Sequence, residues 1–306
     1  MPSRVEAQKR AVVERYGGWT GHDVQLAEGV WTRDSVPQDA PRLRRVLQLA
    51  ADLAARPLAE LRVLDLGCLE GQYAIEFALH GAEVVAIEGR EANLAKARLA
   101  KQVLGLERLK LVQADVRSLG PESHGSFDVV LCLGLLYHLD AADVFPFLAQ
   151  LRSVCRGLAV IDTHVSLSGR STREHGGYAY RGHVFVEHSP RASSGEREAS
   201  RWASLDNPES FWPTQASLCN GLQRAGFSSV LRCEVPVVPG VPADRITLVA
   251  VAGDPVELRA VPSANAAALP ALAEPPRIPR FIANQSRAFN LLKRAVLDAR
   301  ARRAAR

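Results

Sequence analysis

The chain has no apolar run approaching the 18 or so residues that a membrane-spanning helix needs. Its opening segment, MPSRVEAQKRAVVERYGGW, lacks the apolar stretch of a secretory signal. A soluble, cytoplasmic protein is the expectation. The five cysteines, Cys68, Cys132, Cys155, Cys219 and Cys233, form no C-x-x-C pair and are odd in number. Most of them lie in apolar runs, where a free thiol behaves as a small hydrophobe. This argues against a disulfide frame and against structural zinc, and it favours a reducing compartment. No metal site is expected. Also missing is the Lys and hydroxyl pair of a G-x-x-x-x-G-K-[ST] phosphate loop, which disfavours ATP or GTP hydrolysis.

Excess charge is scarce over most of the chain. The net charge of +5 comes from one end, since Arg277 to Arg306 holds nine Lys or Arg against the single Asp298. The preceding body carries 29 basic and 32 acidic residues and is slightly acidic. The body is therefore not an electrostatic nucleic-acid binder, and contact with a polyanion is open only to the tail.

What is present is enough apolar sequence, 47% of 306 residues, for one large core with additions. After a charged helix-like start and the turn-rich segment GHDVQLAEGVWT, a helix is expected over Pro41 to Arg56 with Pro57 as its stop. Strands and helices then alternate. Strands are expected at 62–66, 83–88, 109–114, 127–133 and 157–162, with helices at 70–80, 91–104 and 140–153 between them. Such alternation requires crossovers and gives a parallel sheet. It lapses between about His164 and Asn207, in a segment rich in Gly, Ser, Arg, His and aromatic residues that reads as a lid insertion. A helix at 213–225 and two strands, near 228–235 and at 245–252, close the fold as an antiparallel edge. The expected class is α/β, a Rossmann-like doubly wound sheet that is mostly parallel, with an antiparallel C-terminal edge strand, an N-terminal helical cap and a lid. The expected division is 1–58 for the cap, 59–253 for the ligand-binding domain with 164–207 as its lid, and 254–306 for an Ala/Pro linker or surface strap followed by a basic helix.

The densest signal is LRVLDLGCLEGQYAIEFALHGAEVVAIE, from Leu61 to Glu88. A strand enters Gly67, leaves through Gly71 and passes into a helix, so the backbone can approach a ligand and offer N–H groups at the helix start. The second strand ends in Glu88, about twenty residues past the glycines, where a carboxylate can take both hydroxyls of a ribose. Asp115 ends the third strand on the same edge. The complete dinucleotide pattern G-x-G-x-x-G is absent, and two acids, Asp65 and Glu70, flank the turn. They would repel a pyrophosphate and suit a ligand carrying ammonium or sulfonium charge.

VLDLGCLEG, VVAIEG, LVQAD and FDVVLCLGLLYHL occur in the order and spacing of the class I S-adenosylmethionine (SAM) dependent methyltransferases, which the chain resembles from about Leu61 to Ile161. The resemblance implies SAM as cofactor. It implies that Asp65, Gly67 and Gly71 hold the methionine portion, that Glu88 holds the ribose, and that Asp115 and Val116 meet the adenine. Leu69, where the family usually has a glycine, and Leu133, near the end of the fourth strand, complete the expected cofactor site. GLLYHL also resembles enzymes that modify the wobble uridine of tRNA.

A sulfonium is already a good electrophile, so the protein has chiefly to align the reactants and exclude water. A hydroxyl acceptor would profit from a general base, for which His138 and His164, each just past a strand end, are the candidates. In the insertion, Tyr178, Tyr180, Arg181 and Trp202 are candidate substrate contacts. Methylation of a small molecule, most plausibly at oxygen, is the leading expectation. A tRNA-modifying alkyltransferase and a SAM-fold protein that does not methylate remain as alternatives.

Overall fold

The computed structural model describes residues 2–37 and 39–274. The basic helix expected in the C-terminal tail lies outside the described residues. Helix α1 (Pro2–Tyr16), a small hairpin of β1 (Gln25–Ala27) and β2 (Val30–Trp31), and helix α2 (Pro41–Leu53) precede the main sheet. There follow β3 (Arg62–Leu66), α3 (Gln72–Leu79), β4 (Glu83–Glu88), α4 (Glu91–Leu104), β5 (Leu109–Gln113), the short α5 (Pro121–His124), β6 (Phe127–Leu133), α6 (Val144–Val154) and β7 (Cys155–His164). Next come β8 (Ser171–His175), β9 (Tyr178–Val186), α7 (Ser194–Ala199), β10 (Glu209–Pro213), α8 (Gln215–Arg224), β11 (Ser229–Arg232) and β12 (Arg245–Val251).

The main sheet has seven strands in the order β11-β12-β7-β6-β3-β4-β5. Pairing is parallel from β7 through β6, β3 and β4 to β5, and antiparallel where β12 meets β7 and β11. The chain therefore reverses its winding at β3, and the carboxyl ends of β3, β4 and β6 open on one crevice, the usual ligand position in such sheets.

The strands are apolar on both faces because both faces are covered. Leu64, Val130, Ile161 and Leu248 pack with Phe145, Leu148 and Leu151 of α6 and Leu218 and Leu222 of α8. Their neighbours Val63, Val129, Val160 and Val249 turn to the other side, where they pack with Val46 and Ala50 of α2, Ala74 and Phe77 of α3 and Leu99 and Ala100 of α4. α2 begins with Pro41 at a position that needs no N–H donor. Its buried Arg45 donates from Nε to Pro236 O at 2.6 Å, from Nη2 to Glu234 O at 3.0 Å and from Nη1 to Thr247 Oγ1 at 3.1 Å, fixing the helix against the sheet.

The segment 164–207 is less irregular than the sequence suggests. β8 and β9 form a hairpin joined by β10, an antiparallel three-stranded sheet of order β10-β9-β8. Its residues are largely exposed or half-buried, so they lack the continuous apolar pattern that marks the main strands. After β12 the chain comes back to α8 at Leu272 and Glu274. Leu272 N donates to Asn220 Oδ1 at 2.7 Å, and Glu274 accepts from Thr214 Oγ1 at 2.7 Å and from Ser217 Oγ.

Candidate functional site

The turn after β3 is built from three residues at positive φ, Gly67 (64°), Leu69 (51°) and Gly71 (84°). A side chain at Gly71 would bring its Cβ to 3.1 Å from Ala97 Cβ on α4, so glycine there serves both the dihedral and the packing. Leu69 is a non-glycine residue in the left-handed region, and its N–H donates to Glu88 Oε2 at 2.9 Å. Glu88 Oε1 accepts from Arg90 N at 2.9 Å. The second-strand carboxylate thus clamps the glycine turn to the end of β4. Burial pushes its pKa up, against the opposing backbone donors of Arg90 and Leu69.

Asp65 is buried on β3, and its Oδ2 has no hydrogen-bond partner. Burial raises its pKa to about 7, the Ala74 backbone N–H working in the opposite direction and the nearby Glu88 charge in the same one. Arg42, at the start of α2, has a buried Nε without a hydrogen-bond partner, 3.9 Å from Asp162 Oδ2. Asp65 and Arg42 line a crevice of about 270 Å³, close to the lower end of the size range of small-molecule sites. Among its further walls are Gly67, Leu69, Glu88, Asp115, Val116, Leu133, His138 and Trp202. Asp115 begins the short turn after β5, where its side chain accepts from Arg117 N at 2.8 Å and pairs with the Arg117 guanidinium. That pairing holds the Asp115 carboxyl below its usual range, against a smaller effect of burial.

Gly71 shapes the turn without lining the crevice. The structure also corrects the reading of Glu70 as an acid facing the ligand. Glu70 is fully buried and accepts from Thr20 N (2.7 Å), Gly21 N (3.3 Å), His22 N (3.3 Å) and Lys96 Nζ (3.0 Å). It anchors the N-terminal segment. The start of α3 is likewise closed to a ligand, because Gln72 N donates to His22 Nδ1 at 3.2 Å. Burial lowers the His22 pKa to about 4, despite the nearby Glu70 charge, so this ring is neutral and acts there as an acceptor.

His138 lines the crevice, and its Nδ1 lies 3.1 Å from Glu187 Oε1. His164 does not line it. Its Nδ1 is 3.2 Å from Asp244 Oδ1, and its ring stacks on Trp212 at 5.0 Å and meets the Tyr137 ring edgewise at 4.9 Å. Of the four substrate candidates, only Trp202 reaches the crevice. Tyr180 is buried and stacks on Phe145 at 3.9 Å, Tyr178 lies under the Arg224 guanidinium at 3.8 Å, and Arg181 donates from Nε to Gly169 O at 3.2 Å. Tyr178 and Tyr180 alternate onto one face of β9, and that face turns to α6 and α8 rather than to the crevice.

Several crevice residues escape a sequence reading. Arg42, His22 and Arg245 line it from elements remote in sequence, and Tyr73 from the first turn of α3. Arg245 binds Asp162 from Nε at 2.6 Å, at the end of a strand pairing that only the sheet order reveals. Tyr137 carried a signal, its place in GLLYHL. Among the described residues, no group of three or more His, Cys, Asp or Glu could hold a metal ion, and no helix is long and apolar enough to cross a membrane.

A methyltransferase domain family matches residues 63–157. The ubiquinone biosynthesis O-methyltransferase of Acinetobacter baumannii (strain AYE) is 34% identical over 117 residues, which are 38% of this chain and 47% of the relative. The enzyme of the same name from Azotobacter vinelandii is 46% identical over 88 residues, covering 28% of this chain and 38% of the relative. The chain thus spans less than half the length of these relatives. The N-terminal domain of EvdMO1, crystallised in the presence of SAH and D-fucose, superimposes with a TM-score of 0.61 at 26% identity, covering 81% of this chain and 95% of that one. Residues 63–157 thus match a methyltransferase domain, and the strand order, the glycine turn and its Glu88 clamp give this part of the chain the class I S-adenosylmethionine-dependent methyltransferase fold.

Proposed function

We propose that the crevice binds SAM and that the protein passes the methyl group to a hydroxyl of a small molecule. One observation carries this reading. Asp65 Oδ2, a carboxyl oxygen, and Arg42 Nε, a guanidinium nitrogen, are both buried and without hydrogen-bond partners at the same crevice. An unpaired buried polar atom is costly, and the α-amino-carboxylate of SAM offers an ammonium for one and a carboxylate for the other. Glu88 keeps lone pairs for the ribose hydroxyls beside its two backbone donors, and Val116, Leu133 and Asp115 provide an apolar wall with a polar edge for the adenine.

When bound, SAM supplies an electrophilic methyl on a sulfonium whose departure leaves a neutral thioether. The protein's residues hold the partners in line and take up a proton. Within the crevice wall, the Nε2 of His138 has no hydrogen-bond partner among the described residues and is the group placed to accept the proton of an acceptor hydroxyl. An oxygen acceptor also agrees with the names of the curated relatives and with the sugar present alongside SAH in the EvdMO1 domain. The basic segment that would serve a nucleic acid lies outside the described residues.

The test is incubation with SAM and a panel of phenols and sugars, read by mass spectrometry. Formation of SAH with a methylated acceptor supports the proposal. Release of methylthioadenosine without a methylated product would replace it with cleavage chemistry on SAM.

A further inference from the structure

Glu187 follows β9, far in sequence from the glycine turn, yet it lies buried behind the crevice. Its Oε1 is 3.1 Å from His138 Nδ1 and accepts from Ser210 Oγ at 2.8 Å, while its Oε2 accepts from Ser204 N at 3.1 Å. Burial by itself would raise the pKa of this carboxyl, but the contacts with His138, Ser210 and Ser204 outweigh it and hold Glu187 ionised, below its usual range. An ionised carboxylate only accepts hydrogen bonds, so the proton of the neutral imidazole must sit on Nδ1, leaving the Nε2 lone pair bare.

The same carboxylate holds the roof of the crevice. Ser204, bonded to Oε2, belongs to the segment 201–207, whose Trp202, Ser204 and Asp206 line the site. That segment is fastened by Arg90, which donates from Nη2 to Ala203 O (3.0 Å) and Ser204 O (3.1 Å), and by Arg117, whose Nη2 is 2.5 Å from Asp206 Oδ2. Asn207 Nδ2 donates to His138 O at 2.9 Å. Roof and imidazole therefore share one buried anion.

We propose that Glu187 is a positioning residue that sets the His138 tautomer, with Nε2 bare toward the acceptor, and ties it to the segment 201–207 closed over the crevice. The inference rests on the reading of His138 as the proton acceptor. In that step the hydroxyl proton passes to His138 Nε2 as the new O–C bond forms, and the electron pair of the broken C–S bond stays on sulfur. The proton then leaves to solvent.

Glu187→Gln discriminates. The amide has one accepting oxygen for the fixed Ser204 N–H on one side and the His138 ring on the other. The backbone donor cannot change, so the amide oxygen turns to Ser204 and its NH2 faces Nδ1, forcing the proton to Nε2. The experiment is 15N NMR of the imidazoles in the full chain saturated with SAH, at a pH where the rings are neutral, with His138 assigned by the loss of its signals in His138→Gln. In the wild-type protein the bare-nitrogen resonance should belong to Nε2. In Glu187→Gln it should move to Nδ1, and in Glu187→Asp, which keeps the charge, it should return at least in part to Nε2. An Nε2–H tautomer in the wild type, or an unchanged tautomer in Glu187→Gln, would overturn the proposal. SAH affinity by calorimetry separates the two readings. Absence of SAH binding by the wild type refutes the cofactor site itself, whereas wild-type affinity in Glu187→Gln with a switched tautomer is the expected outcome.

Discussion

Glu88 Oε2 accepts the backbone N–H of Leu69 at 2.9 Å, and Leu69 stands at φ 51°. A carboxylate at the end of one strand thereby holds a non-glycine residue in the left-handed region at the end of its neighbour. That conformation costs a residue other than glycine about 1–2 kcal/mol, so the clamp offsets strain in the loop that shapes the crevice.

Replacing Leu69 by glycine should therefore change stability little. Relief of the strain is countered by the extra freedom glycine gains in the unfolded chain, about 0.5–1 kcal/mol. Urea unfolding is expected to place Leu69→Gly within about 1 kcal/mol of the wild type, whereas the β-branched Leu69→Val should lose more than that. A large loss in the glycine variant would show that the leucine side chain, not the dihedral, governs the turn.

Glu88→Ala removes both the clamp and the proposed ribose contacts. Charge-assisted hydrogen bonds contribute about 1.5–3 kcal/mol each, so SAH affinity should fall at least tenfold. Unchanged affinity in a titration would refute the ribose role.

Glu70→Ala tests the anchoring assignment. Lys96 and Glu70 form an ion pair with both side chains fully buried. Removing one partner of such a pair costs about 3–5 kcal/mol because the other charge is left uncompensated. The variant should unfold at much lower denaturant and be cut by protease near Gly17 and Gly18. Wild-type stability would contradict the anchoring role.

Asp65 gives a pH dependence. Its folded pKa, about 7, lies above the ordinary carboxylate value near 3.9, so the native state holds the proton more tightly than the unfolded chain. The contribution of Asp65 to stability is then fully present below about pH 4 and is lost as pH rises toward 7. An ammonium beside Asp65 favours the ionised form, so SAH binding should release a proton below pH 7 and strengthen as pH rises to about 7, then level off. Calorimetry in buffers of different ionisation enthalpy measures that proton; equal heats in all of them would argue that Asp65 does not meet the ligand's ammonium.

The main strands are legible in the sequence because each is an apolar run covered on both faces, and so are Asp65, Glu88 and Asp115, which stand at the ends of those runs. Glu70 reads as a ligand-facing acid because nothing local reports that the turn at Leu69 sends it inward to Lys96 and the backbone of residues 20–22. Strands β8 to β10 are hard to read for a different reason. Much of β8 and β9 stays exposed, so they need no continuous apolar pattern. Glu187 and Arg42 carry no motif at all; Glu187 takes its meaning from His138, and Arg42 from Asp162 and from the crevice it lines, neighbours that only the folded chain brings together.

The most direct test is a calorimetric titration of SAH into the wild-type protein and into Asp65→Asn at pH 7.5. One site per chain is expected in the wild type, with affinity at least tenfold weaker in the variant, the equivalent of losing about 1.5–3 kcal/mol of charge-assisted hydrogen bonding. No binding by the wild type, or equal affinity in the two proteins, would contradict the assignment of the crevice to the methyl donor.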